Sequence, residues 1–102
     1  MSSSNLRWNS RFSYGAGPIS ATANIQPTPG ILHGVFVSAA SSTPTITIYD
    51  SATTTTSTTI ISVFTPVAGT YYPLGDLFFK NGCYVVISGT VSATFSTATG
   101  TN

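Results

Sequence analysis

Few side chains in this 102-residue chain could do chemistry: His33, Cys83, Asp50 and Asp76, with Arg7, Arg11 and Lys80 as the only cations. Two carboxylates are the minimum for a paired acid and base of the glycosidase kind. Each stands in a turn context, Asp50 before Ser51 and Asp76 after Gly75, where a side-chain bond to backbone accounts for it. His33 alternates with Ile31 and Val35 on an apolar stretch, the setting of a satisfied or edge histidine. Cys83 could serve as a nucleophile with His33 as its base, but no local motif surrounds it, and a free cysteine behaves by default as a small buried hydrophobe. One His, one Cys and two scattered Asp form no recognisable metal-ligand set. No Gly-x-Gly-x-x-Gly or Gly-Lys-Thr phosphate loop occurs. The residues therefore predict no enzyme, no metal and no cofactor.

Recognition chemistry is better represented. Trp8, Tyr14, Tyr49, Tyr71, Tyr72 and Tyr84 could stack on sugar rings, and Tyr71-Tyr72 is the obvious pair. Neighbours in a strand face opposite ways, so one of these two is expected in the core and the other over it. The N-terminal segment is the other concentration. Leu6, Arg7, Trp8, Arg11, Phe12 and Tyr14 bring the only Trp and two of the three cations into a stretch too short to fold alone. Trp, Tyr and Arg are enriched among the residues that dominate interfaces. Leu6, Trp8 and Phe12 share one face of an extended segment, Arg7 and Arg11 the other. The segment is expected either to cross to a neighbouring subunit or to fold back as an extra strand; these six residues are the candidate partner interface.

The elements that must position these groups are strands. Thr45–Asp50 alternates Ile46 and Ile48 with Thr45, Thr47 and Tyr49, a period of two built from β-branched and aromatic residues. Pro44 bounds it on one side and Asp50-Ser51 opens a turn on the other. Ile19–Ile25 alternates weakly, and Gln26–Gly30, with two prolines, is a connection. Ile31–Ser38 is nearly all apolar and is expected to be buried on both faces. Ala39–Thr43 is expected as a loop, Ser51–Thr58 as a solvated Thr-rich loop. Thr59–Thr65 is a strand ended by Pro66, Ala68-Gly69 is a turn, and Thr70–Leu74 is a short strand followed by the apolar knot Leu77-Phe78-Phe79. Asn81-Gly82 suits a tight reversal. Cys83–Ser88 and Val91–Phe95 flank Gly89-Thr90, the pattern of a hairpin with a type II′ turn. No stretch carries a helical period. About seven or eight short strands predict an all-β fold, an antiparallel β-sandwich over residues 20–102, preceded by an extended N-terminal arm and Gly-rich hinge over 1–19.

Composition narrows the partners. Charged residues are 5% of the chain, against about 25% in an average soluble domain, and about a third of the residues are Ser or Thr. A formal charge of +1 repels other copies weakly, which suits a subunit packed in an assembly. Three cations make no basic stripe for nucleic acid. No apolar run approaches the ~20 residues of a spanning helix, so no membrane partner is expected. The first residues lack the basic-then-apolar order of a signal peptide, which predicts a protein made in a cytoplasm.

Four stretches carry a family resemblance. Gly30-Ile-Leu-His-Gly-Val-Phe-Val-Ser38, Thr45-Ile-Thr-Ile-Tyr-Asp50, Gly69-Thr-Tyr71 and Phe79-Lys-Asn-Gly-Cys-Tyr-Val-Val-Ile-Ser-Gly-Thr90 together resemble a group of small virion proteins of tailed bacteriophages. The resemblance spans about residues 30–95 and leaves the arm aside. It implies a jelly-roll-like sandwich that works as a capsid decoration (cement) protein on the major capsid protein, often as a trimer. A tail, baseplate or fibre part is the alternative in the same particle, and a carbohydrate-binding module for host attachment is the alternative of another class. No catalytic residue comes with the resemblance.

Overall fold

A computed structural model of the chain describes residues 18–99. Five strands occur there: β1 (Ala23–Gln26), β2 (Gly30–Asp50), β3 (Thr59–Phe64), β4 (Thr70–Phe79) and β5 (Cys83–Thr99). No helix occurs among the described residues. All pairings are antiparallel, so the chain is all-β, as its patterning predicts. β2 and β5 pair along nearly their whole lengths and form the spine. β1 lies on the free side of β5, and Ile19 continues that edge by exchanging two backbone bonds with Ala93, of 2.8 and 3.0 Å. β3 and β4 share the other side of β2, β3 against Ile46–Tyr49 and β4 against Gly30–Val37.

The strands are fewer and longer than the sequence predicts. Ala39–Thr43 is no loop: β2 runs on through it for 21 residues. Gly89-Thr90 is no hairpin turn either, because β5 continues past it for 17 residues without reversing. Both breaks are one feature. Ser41 pairs with Thr90 and Thr45 with Ser88, so three residues of β2 face a single residue, Gly89, of β5. This bulge kinks the two strands together. Gly89 sits at φ 85°, and a Cβ there would stand 2.7 Å from the Pro44 Cα, so both the backbone angle and the packing require glycine.

The kink lets the sheet curl over its own core. A straight 21-residue strand would be about 70 Å long, but the longest dimension is 51 Å. Lys80–Gly82 joins the end of β4, beside Gly30, to the start of β5, beside Asp50. A connection that short spans no more than about 15 Å, so the two ends of β2 converge. Inside the curl lie Leu32, Val35 and Val37 from one half of β2, Ile46 and Ile48 from the other, and Phe79, Cys83, Val85, Val91, Ala93 and Phe95 facing them. The expected burial of Ile31–Ser38 on both faces does not hold. Leu32, Val35 and Val37 are fully buried, while Phe36 turns outward and is 43% exposed. A bulge between Leu32 and Gly34 puts His33 and Gly34 together on the outer face.

Candidate functional site

Asp50 holds the end of β2 to the turn that starts β5. Its carboxylate accepts N–H bonds from Lys80 (3.0 Å), Asn81 (2.7 Å) and Gly82 (3.3 Å). Burial works against the charge, but these three donors and the nearby Lys80 ammonium outweigh it, and the carboxyl titrates below its ordinary value. The carboxylate is thus a backbone clamp, as its turn context predicts, although the backbone it clamps lies thirty residues away. Cys83, paired with Asp50 across the sheet, is fully buried, and burial plus the Asp50 charge push its thiol up to about 12. A thiol in that state is a poor nucleophile.

The second carboxylate has a side-chain partner that its turn context does not predict. His33 Nδ1 donates to Asp76 Oδ1 at 2.6 Å, on the outer face of the sheet. A second bulge makes the contact. Leu32 pairs with Leu77 and Gly34 with Pro73, so Leu74, Gly75 and Asp76 bow out opposite His33. Gly75 and Asp76 both take positive φ, 70° and 57°. Asp tolerates that region better than most residues but still bears strain there. Both side chains are open, 45% and 54% exposed. Among the described residues, Asp76 Oδ2 takes no hydrogen bond.

Aromatic rings flank this pair. Phe78, paired with Ile31, is 59% exposed on one side; Tyr71, paired with Phe36, is 44% exposed on the other. The Tyr71 ring lies across Gly34 so closely that any Cβ there would collide with it. Tyr71 and Tyr72 face opposite ways, as neighbours in a strand must, but neither enters the buried core: Tyr71 turns outward, and the half-buried Tyr72 packs edge-on to Phe64 at 5.3 Å between centroids while its hydroxyl oxygen accepts from Val67 N–H at 2.9 Å.

A third feature is an open seam. β3 and β4 lie along the same side of β2 without pairing with one another among the described residues. Ile61 and Phe64 of β3 and Tyr72, Pro73 and Leu74 of β4 line an apolar groove of about 330 Å³ between them. Val63 and Val67 stand exposed nearby on the β3 side.

The predicted interface residues Leu6, Arg7, Trp8, Arg11, Phe12 and Tyr14 lie outside the described residues. No group of three or more His, Cys, Asp or Glu side chains is gathered among the described residues. No helix there is long and apolar enough to cross a membrane. No protein-family profile, curated protein or solved structure matches the chain. The His33–Asp76 contact had one readable sign: Gly75-Asp76 interrupts an apolar strand and invites a bulge. Its partner lies 43 residues away and depends on register, which local pattern does not supply.

Proposed function

We propose that the chain is a structural subunit that acts by being packed against other subunits. The observation that carries this is the seam between β3 and β4, an apolar groove bordered by two strand edges in a weakly charged molecule. Open edges and apolar grooves of this kind are completed by another chain or become aggregation sites. The proposed occupant is the N-terminal arm of a second copy. Its Leu6, Trp8 and Phe12 match the apolar lining, and Arg7 and Arg11 suit the carbonyls of the open edges. A neighbour seated there would also close the curled sheet toward the sandwich expected from the sequence.

The resemblance to virion proteins directs this reading to the shell of a tailed phage, as a decoration subunit on the major capsid protein; that placement rests on the resemblance alone. Antibody-gold labelling of purified phage particles carrying the chain tests it. Label over the head is expected. Label confined to the tail would move the subunit to a tail or fibre role, and unlabelled particles would end the virion reading.

A further inference from the structure

The outer face of the β4–β2 half has a composition that packing between subunits does not explain. Its middle is a charged hydrogen bond, His33–Asp76, and its ends are exposed rings, Phe78 on one side and Tyr71 with Phe36 on the other. Ile31, opposite Phe78, and Phe36 are five residues apart in β2, so the rings span about 15 Å along the strand. A protein partner would have to strip water from an ionised carboxylate at the centre of the contact, at a cost that flat apolar packing does not return. A ligand with both C–H faces and hydroxyl edges meets no such conflict.

We propose that this face binds a neutral glycan. Phe78 and Tyr71 are the stacking platforms, each receiving the C–H face of a sugar ring. Asp76 Oδ2 accepts a hydroxyl proton between them, and His33 holds the carboxylate in place through Oδ1. This is the usual division of labour in a binding site, apolar surface for affinity and a few fixed polar atoms for orientation. The face is built for it at two points. Gly34 lets the Tyr71 ring lie down on the sheet. The strained bulge sets Asp76 against His33 through Oδ1, and the Asp76 side chain remains 54% exposed. The carboxylate also sets the class, because an acidic sugar would meet its charge. The site lies apart from the seam, so it stands or falls independently of the assembly reading.

The test is an array of neutral β-glucans, galactans and mannans beside sialylated glycans, followed by isothermal titration of the full chain with the best-retained oligosaccharide. Retention of a neutral glycan is expected, with Kd raised at least tenfold by Asp76→Asn and by Phe78→Ala. Both positions are exposed, so circular dichroism should match the parent, and Tyr71→Ala, which removes the other platform, should weaken binding as Phe78→Ala does. Val63→Ala, at the seam, should bind like the parent. Three results would overturn the proposal: no glycan bound at about 1 mM, the weak end of specific recognition; binding that survives both substitutions; or self-association lost on Phe78→Ala with no glycan bound.

Discussion

Asp50 and Cys83 show how one residue's role can be read from its neighbours, and where that reading stops. Both were legible in kind. A carboxylate before a turn bonds backbone, and a lone cysteine in an apolar strand is buried. Partner identity was not legible, since Asp50 reaches Lys80–Gly82 only after β2 and β5 have paired. The clamp has a pH signature. The folded-state pKa of Asp50 is depressed, so its stabilisation is present above the unfolded value of about 3.8 and is lost as pH falls through the folded one. Asp50→Asn should lower stability at neutral pH by about 1–2 kcal/mol, the scale of charge-assisted bonds at a partly solvated site. Urea titrations at pH 7 and pH 3 check this: the difference between variant and parent should shrink at the lower pH. An unchanged difference would mean that the charge is not what the three N–H groups recognise. For Cys83, burial predicts that iodoacetamide labels the native chain far more slowly than the chain in urea, because the thiolate is both scarce and inaccessible. Prompt labelling of the native protein would contradict the buried placement.

Two elements were misread for one reason. Gly89-Thr90 and Ala39–Thr43 have the composition of turns, and local composition cannot distinguish a reversal from a bulge in a strand that carries on. A subtler sign was present. Cys83, Val85, Val91, Ala93 and Phe95 all point inward at odd positions, so the inward phase of β5 runs through Gly89 without a break. Pairing of β5 with β2 on both sides of the kink then overrides the local turn preference. Ile31–Ser38 failed differently: its run of apolar residues reads as doubly buried, yet one face is the core and the other carries Phe36 to the surface. By contrast the Ile46/Ile48 alternation, the exposed Thr loop after Ser51 and the turn at Gly69 were readable, because each depends on short-range pattern alone. The kink can be tested as a unit. Gly89→Ala puts a side chain at φ 85° and 2.7 Å from the Pro44 Cα. It should destabilise the fold by about 2–3 kcal/mol, combining backbone strain with overpacking. Thermal melting reads the loss. A near-neutral variant would show that the two strands can separate at the bulge without cost.

At the scale of the whole molecule, the all-β class and antiparallel order were written in the period-two patterning, but closure was not. Whether a curled sheet seals on itself or on a neighbour depends on surfaces far apart in sequence, such as Ile61 of β3 and Leu74 of β4. An arm that docks on another copy loses about 1–2 kcal/mol of backbone entropy per ordered residue, so its anchor must be large. Burying the Trp8 indole removes about 150–250 Å² from water, worth about 4–6 kcal/mol at 25 cal/mol per Å². Deleting residues 1–14 should therefore leave the melting of the sheet nearly unchanged, while self-association measured by light scattering falls. Trp8→Ala should reproduce most of that fall, and Leu74→Lys, placing a charge in the seam, should do the same from the receiving side. If the deletion instead unfolds the domain and the parent is a monomer at micromolar concentration, the segment belongs to its own sheet, and the seam awaits some partner other than a second copy.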